Sequence, residues 1–220
     1  AKKNNVNKVI YASSSSVYGS NTNMPFSIHD NVDHPLSLYA ATKKANEAMG
    51  HSYAYTYGLP VTMFRFFTVY GPWGRPDMAL FKFTKAILEG KPIDVYNHGE
   101  MWRDFTYVGD LVQGIKLLID KVPGGAESRV ESDSLSPVAP FRVVNIGNSE
   151  AVLLTDFIEA IEEATGNIAI RNLMPMQAGD VASTWADATL LKSLTGYSPK
   201  TNIRQGIKAF VEWYIMYHKL

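Results

Sequence analysis

A tyrosine and a lysine that are four residues apart could perform acid–base chemistry. Tyr39 and Lys43 lie in the segment from Ser37 to Tyr57, which is predicted to form a helix that Gly58 and Pro60 end. Residues i and i+4 of a helix lie on one face, so the phenol and the ammonium group point the same way. A cation next to a phenol favours its ionised form, and such a phenol can accept a proton from a hydroxyl group. The alternative is an ordinary pair of side chains on a solvated helix.

Hydroxyl groups follow the first apolar segment of the chain. Val9 to Ala12 is predicted to be a buried parallel strand, and the four serines from Ser13 to Ser16 come directly after it. A flexible serine linker is the alternative interpretation. The apolar strand before the serines and the segment from Val17 to Gly19 after them argue against a linker.

The strand, its serines and the tyrosine helix together resemble the extended short-chain dehydrogenase/reductase family. Tyr39 lies 25 positions after Ser14, and the segment from Arg65 to Pro72 resembles the family strand that ends beneath the nicotinamide of NAD. The resemblance implies that Ser14, Tyr39 and Lys43 are catalytic and that Ser14 donates a hydrogen bond to the reacting hydroxyl. It also implies that the cofactor is NAD, with contacts from Ala12, Ser13, Tyr39, Lys43, Phe66 and Val69.

Within that family the chain most resembles the nucleotide-sugar epimerases that act on UDP-glucuronate. The threonine and the arginine that hold the sugar carboxylate in those enzymes correspond to Thr68 and Arg75. A planar guanidinium suits a carboxylate because it can donate two parallel hydrogen bonds. An ordinary surface arginine is the alternative interpretation. The resemblance also implies that Ser14, Ser15 and Ser16 contact the substrate.

Three further segments resemble the places where the family binds the nucleotide of its substrate. Arg103 corresponds to an arginine on the diphosphate, Val95 and Tyr96 to the stretch that sandwiches the uracil, and Asp180 to the aspartate that meets the ribose. Some relatives carry an arginine where this chain has Gln177, so one diphosphate contact is in question. An ordinary loop is the alternative for each segment.

The residues before Val17 narrow the reaction that the resemblance implies. Family members that decarboxylate or dehydrate their substrates carry an acidic residue there, whereas this chain has Ser15 and Ser16. We therefore expect NAD-dependent 4-epimerisation of a UDP-sugar, from UDP-glucuronate to UDP-galacturonate, by transient oxidation at C4 and return of the hydride. The alternatives are an epimerase for UDP-glucose or another UDP-hexose, and a non-catalytic nucleotide-sugar-binding fragment.

Strands alternate with helices along the chain, which predicts an α/β fold with a mostly parallel sheet. The predicted strands are Val9–Ala12, Val61–Phe67, Ile93–Tyr96, Phe105–Val108 and Arg142–Ile146, and the predicted helices are Ser37–Tyr57, Met78–Glu89, Asp110–Lys121, Thr155–Thr165 and Ile203–His218. Residues 122–140 are rich in Pro, Gly and Ser and are predicted to form a long surface loop that is partly disordered.

The resemblance implies how these elements are organised. We expect the C-terminal part of a Rossmann-type doubly wound parallel sheet, together with a smaller α/β substrate-binding lobe. Residues 1–70 would belong to the NAD-binding domain and 71–220 mainly to the lobe. Two segments, at about 100–120 and 140–150, would return to the first domain.

The sequence contains no glycine-rich turn of the kind that binds a dinucleotide. Neither GxGxxG nor GxxGxxG occurs, although a dinucleotide-binding βαβ unit needs such a turn near its start. In the family this turn lies several βαβ units before the serine strand, so about 110 residues are expected ahead of it at ~30 per unit. We therefore expect this chain alone to be inactive, to bind NAD weakly, and to lose or alter the homodimer of the family.

The composition excludes several classes of protein. Lys plus Arg and Asp plus Glu both number 21, so the formal net charge is zero. A neutral chain is not expected to bind nucleic acid or an anionic membrane. There are no cysteines, which excludes disulfides and thiolate metal sites, and we expect no metal site. No apolar run approaches the ~20 residues of a membrane span, and we expect a cytoplasmic protein.

Overall fold

The computed structural model describes residues 1–124, 128–177 and 180–220. Its strands are β1 (Val9–Ala12), β2 (Val61–Phe66), β3 (Thr68–Tyr70), β4 (Pro92–Val95), β5 (Trp102–Arg103), β6 (Phe105–Tyr107), β7 (Phe141–Ile146), β8 (Val152–Leu153), β9 (Ile170–Leu173) and β10 (Ser183–Thr184). Its α-helices are α1 (Leu38–Tyr57), α2 (Ala79–Leu88), α3 (Val108–Ile119), α4 (Leu154–Thr165), α5 (Thr189–Thr195) and α6 (Ile203–His218).

A parallel sheet of three strands, in the order β1-β2-β7, carries the elements that matter for function. Its register pairs Val9 with Val61, and Val61 with Phe141. β2 and β7 are almost entirely buried, as is typical of parallel strands whose two faces are covered. Because the three strands run in the same direction, the loops that follow them meet at one edge of the sheet.

Helix α1 is the crossover between β1 and β2, which parallel neighbours require. It begins at a cap in which Ser37 Oγ accepts a hydrogen bond from the Ala40 amide at 3.1 Å. It ends at Gly58, whose φ of 61° lies in the left-handed region that favours glycine. The helix therefore starts at the carboxyl edge of the sheet, and its first turns face the loop after β1.

A second core forms where α2, α4 and α6 pack. It contains Leu80, Ile87, Phe157, Ile161, Ile207, Phe210 and Tyr214, all of them buried. Phe105 of β6 stacks on Phe157 of α4 with 4.1 Å between the ring centroids. The short strands pair as β3–β6 and β4–β9, both parallel, and as the mixed set β10-β5-β8. This core supports the short strands β3 and β6, whose residues Tyr70 and Phe105 belong to it.

The α/β fold and the predicted elements are confirmed, with ends that differ by one or two residues. β2 ends at Phe66 instead of Phe67, and α3 begins at Val108 instead of Asp110. No pattern in the sequence predicts β3, β5, β8, β9, β10 or α5. Most of these are two to four residues long, which is too short for a periodic pattern to emerge.

The prediction of a surface loop at residues 122–140 is wrong for its second half. Asp133, Leu135 and Ala139 are buried. Arg142, at the start of β7, donates from Nε and Nη2 to the two carboxylate oxygens of Asp133, both at 2.9 Å. This buried ion pair holds the segment against the sheet. Residues 125–127 of the predicted loop lie outside the described residues.

The pairing of β7 with β2 bears on the domain organisation. Residues 141–146 join the central sheet, although the strands β3 to β6 separate them from β2 in the chain. The expected return of residues 140–150 to the first domain stays a prediction. The division of the whole chain into two domains stays a prediction.

None of the helices in the described ranges is long and apolar enough to cross a membrane. The longest of them, α1, has 20 residues and includes Lys43, Lys44 and Glu47.

Candidate active site

The predicted tyrosine–lysine pair lies on the first two turns of α1, at the carboxyl edge of the sheet. Lys43 Nζ donates a hydrogen bond to the carbonyl oxygen of Ala12 at 3.0 Å, which ties the helix to the end of β1. The same nitrogen lies 5.8 Å from the centroid of the Tyr39 ring. Tyr39 is 55% exposed, so its side chain is open to solvent near the loops at the carboxyl edge of the sheet. The phenol and the ammonium group therefore lie on one face of the helix, as their spacing predicted.

Ser14 stands where β1 gives way to a short 3-10 helix, Ser15–Tyr18. Its Oγ accepts a hydrogen bond from the Ser16 amide at 3.2 Å and donates one to Ser16 Oγ at 3.1 Å. Ser14 and Tyr39 line one cleft together with Phe66 and Val69. The cleft thus brings together a hydroxyl, a phenol and two apolar side chains that the sequence predicted as site residues. Lys43 does not line it, but its Nζ lies 5.8 Å from the centroid of the Tyr39 ring.

Ser13, an expected cofactor-binding residue, uses its side chain within the protein. Its residue borders the same cleft, but it is only 3% exposed. Its Oγ donates to Glu47 Oε1 at 2.6 Å, and its amide donates to the Phe64 carbonyl at 2.7 Å. The hydroxyl is therefore engaged by Glu47 in the core.

A second, more polar cleft collects five of the predicted substrate residues. Ser15, Ser16, Thr68, Arg103 and Asp180 all line it. Arg103 Nη2 donates to Asp180 Oδ1 at 2.8 Å, and Nη1 donates to the carbonyl oxygen of Trp102 at 3.0 Å. Burial lowers the pKa of Arg103 from its usual value, and the Asp180 carboxylate opposes that shift. The cleft offers one cation, which is paired with the Asp180 carboxylate, and the hydroxyl groups of five lining residues. This lining suits a hydroxyl-rich ligand that carries an anionic group.

Arg75 lies on the loop between β3 and α2 and lines the cleft that contains Tyr39. Its Nε donates to Asp77 Oδ1 at 3.1 Å, and Nη2 bonds the other carboxylate oxygen. The hydrogen bond from Arg75 lowers the pKa of Asp77. Both side chains are exposed, so this pair is weak and a ligand carboxylate can exchange with Asp77.

The two predicted uracil contacts, Val95 and Tyr96, lie outside both clefts. The Val95 side chain is fully buried in the second core, and its carbonyl accepts from the Met174 amide at 2.9 Å. Tyr96 begins the 3-10 segment Tyr96–Gly99 and is partly exposed. Neither residue lines the two clefts in the described part of the chain. Residues 178 and 179, within the predicted segment from Gln177 to Asp180, lie outside the described residues.

A buried polar network directly beneath the site contains residues that the sequence analysis did not single out. Arg65 donates from Nε and Nη2 to the two oxygens of Glu47, both at 2.9 Å. The Arg65 guanidinium carbon lies 4.9 Å from the centroid of the Tyr18 ring, and Tyr18 Oη donates to Asn145 Oδ1 at 2.7 Å. Burial raises the pKa of Tyr18. Two features of the sequence could have indicated this network. One is the charged Arg65 in the largely apolar β2, and the other is Glu47, eight positions after Tyr39.

Residues 1–132 match the family described as the NAD dependent epimerase/dehydratase family. The chain belongs to this family. The matched residues include the serine loop, the whole of α1, Thr68 of the polar cleft, and Arg103.

Individual members of the family are similar over nearly the whole chain. This chain is 53% identical over 210 residues to a probable UDP-glucuronate 4-epimerase of Rhizobium meliloti (strain 1021). The alignment covers 94% of this chain and 61% of the relative. The crystal structure of a Bacillus cereus UDP-glucuronic acid 4-epimerase in complex with UDP-glucuronic acid and NAD matches with a TM-score of 0.81 and 32% identity, over 96% of this chain and 62% of that one.

A Thermotoga maritima UDP-glucose 4-epimerase with UDP-glucose matches with a TM-score of 0.84 and 27% identity, over 98% of this chain and 66% of that one. The chain spans 48% to 66% of the length of the curated relatives that it matches.

Proposed function

We propose that the protein that carries this chain is an NAD-dependent UDP-sugar 4-epimerase. The observation that supports this most directly is the cleft in which Ser14, Tyr39 and the Lys43-bearing face of α1 meet. Family membership supports the same chemistry. In this proposal the chain provides the acid–base residues and most of the substrate-binding surface.

Tyr39 would accept the proton of the sugar's 4-hydroxyl and later return it. Ser14 would donate a hydrogen bond to the same oxygen, which fixes the hydroxyl near the phenol. The Lys43 ammonium would stabilise the ionised form of the Tyr39 phenol, which is the form that accepts the proton. These three groups hold and move one proton at one oxygen atom, as a reversible oxidation of a carbinol requires.

The cleft residues fit the nicotinamide end of NAD. Phe66 and Val69 provide an apolar surface next to Tyr39. Lys43 uses one of its three N–H donors on Ala12, so two remain for hydroxyl oxygens. Bound NAD would supply the chemistry that the side chains lack, uptake of a hydride from the sugar carbon and its return. Ala12, Ser13, Phe66, Val69, Tyr39 and Lys43 are the residues that we propose to hold it.

We propose UDP-glucuronate as the substrate, with UDP-galacturonate as the product. Arg103 and Asp180 would bind the nucleotide portion, while Ser15, Ser16, Thr68 and Arg75 would hold the sugar and its carboxylate. Ser15 and Ser16 line the polar cleft without a carboxylate of their own. That cleft would therefore accept the anionic sugar and leave it without the acid that decarboxylation needs.

A neutral UDP-hexose such as UDP-glucose is the second candidate. The pairing of Arg75 with Asp77 favours it, because an arginine that already holds a carboxylate attracts a sugar carboxylate less strongly. The similarity to a UDP-glucose 4-epimerase structure supports it as well.

Turnover of purified protein with UDP-glucuronate and UDP-glucose, followed by chromatography of the products, tests the proposal. We expect UDP-galacturonate from UDP-glucuronate at a kcat/KM at least ten times that for UDP-glucose, in accord with a charge-assisted contact. Faster turnover of UDP-glucose would replace the substrate assignment. Absence of any C4 inversion, with NAD bound, would refute the epimerase.

A further inference from the structure

The buried Glu47–Arg65 pair is not used by the proton chemistry proposed above. Glu47 is 5% exposed and Arg65 is 4% exposed. Their two parallel hydrogen bonds form a fork between α1 and β2, and Ser13 at the end of β1 donates a third bond to the same carboxylate. Three separate elements therefore converge on one buried ion pair.

Stability alone gives a weak reason for such a pair. Removal of two charges from water is costly, and an apolar pair of similar volume is often as stable or more stable. Arg65 Nη1 is also buried and has no hydrogen-bond partner among the described residues. The Tyr18 ring lies next to the guanidinium, but a pair that leaves a buried guanidinium nitrogen without a hydrogen-bond acceptor is not an optimal solution for packing.

The position of each member relative to the site suggests a different purpose. Glu47 follows Tyr39 and Lys43 by eight and four residues on α1, so the three side chains lie along one face of the helix. Arg65 directly precedes Phe66 of the cleft. Ser13 directly precedes Ser14. Each residue of the network is thus a neighbour, in the chain or on the helix face, of a residue assigned to catalysis or to the cofactor. A shift of any one contact would therefore move that neighbour as well.

We propose that Glu47 and Arg65 are positioning residues that hold Tyr39, Lys43 and Ser14 in register with one another. The carboxylate sets the rotation and height of α1 against β2, and through Ser13 it sets the start of the serine loop. Neither residue reaches the substrate, so the effect on turnover is indirect. This inference rests on the proposed epimerase function.

The chain offers a matched control in the Asp133–Arg142 pair. That pair is also buried and also forms a fork with two bonds of 2.9 Å. In the sheet register Arg65 lies opposite Asn145, whereas Arg142 lies opposite Thr62. The control pair is therefore three residues, or about 10 Å, nearer the amino end of the sheet and away from the site.

The test compares Glu47→Gln with Asp133→Asn in the protein that carries this chain. Denaturation midpoints and NAD-saturated steady-state kinetics with UDP-glucuronate and UDP-glucose would be measured for both variants. Both are expected to lose stability, because each leaves a buried arginine without the carboxylate that balances its charge. Glu47→Gln is expected to lower kcat by about 10- to 100-fold with KM changed less than threefold, since a misplacement of ~1 Å costs ~10²-fold. Asp133→Asn should keep kcat within threefold at a temperature where it is folded.

A second variant covers the case in which Glu47→Gln does not fold. The double variant Glu47→Met/Arg65→Met replaces the charges with apolar side chains and is expected to fold. It should still show the loss of kcat. Turnover within threefold of wild type in either folded variant overturns the positioning role.

Amide hydrogen exchange separates this inference from the proposed function. The Ser13 amide donates to Phe64 and the Val17 amide to Ser14, and both should exchange at least tenfold faster in Glu47→Gln but not in Asp133→Asn. Faster exchange in a protein without epimerase activity would refute the proposed function and retain the positioning role. If the wild-type protein is active, and Glu47→Gln changes neither the amide exchange nor the turnover, the positioning role is refuted and the proposed function is retained.

Discussion

Replacement of Tyr39 by phenylalanine isolates the contribution of one oxygen atom. Lys43 is held by the Ala12 carbonyl and not by the phenol, so the helix and its ammonium group should stay in place. The aromatic ring that faces the Lys43 ammonium at 5.8 Å also remains. The variant should therefore lose only the proton acceptor, and its binding of UDP-sugar should be nearly unchanged.

The expected loss of kcat in Tyr39→Phe is 10²- to 10⁴-fold, the usual range for general acid–base groups. That corresponds to about 3 to 5.5 kcal/mol in the activation barrier at ~1.36 kcal/mol per tenfold. Initial rates of C4 inversion, measured with calorimetric binding of UDP-glucuronate, give both quantities. Tyr53→Phe, on the same helix and also exposed, is the control and should turn over normally. A Tyr39→Phe rate within threefold of wild type would remove this residue from the mechanism.

Three further predictions follow from the loops around the clefts. Arg75→Ala should lower kcat/KM for UDP-glucuronate about tenfold more than for UDP-glucose, because only the former has a carboxylate; equal losses in a two-substrate kinetic assay would argue against this contact. Ser16→Glu should raise the yield of decarboxylated pentose product, detectable by mass spectrometry, and an unchanged yield would contradict the role given to that loop. Gly147→Ala would place a methyl group 2.5 Å from the Ala186 Cβ and should cost roughly 1–3 kcal/mol of unfolding free energy. Gly114→Ala, whose added methyl group meets nothing closer than 3.7 Å, should be neutral or stabilising in the same denaturation series.

The residues to which we assign the proton transfer were the easiest to predict from the sequence. Helical periodicity alone places Tyr39 and Lys43 on one face, and an apolar segment followed by serines is enough to place Ser14 at a strand end. These relations extend over a few residues, and local backbone geometry fixes them. The central strands were predictable for the same reason, since β2 and β7 are continuous apolar segments except for a few polar residues.

The interactions that the sequence did not reveal join residues that are far apart in the chain. Glu47 meets Arg65 across 18 positions, and Arg103 meets Asp180 across 77. Asp104 accepts hydrogen bonds from the amides of Ser149 and Ala186, which are 45 and 82 positions away. No periodic pattern encodes such pairs, because they depend on how the loops after different strands approach one another.

The hydrogen bonds of Ser14 have a consequence for the entropy of substrate binding. Its oxygen is already held by the Ser16 amide, and its proton points to the Ser16 hydroxyl. To donate to a sugar oxygen, Ser14 has to rotate only its O–H bond, while every heavy atom stays where it is. A hydroxyl held in this way loses almost no rotamer freedom when the ligand arrives. In the proposed function, the loop after β1 would therefore hold the Ser14 oxygen in place before any sugar enters, and only one proton would have to move.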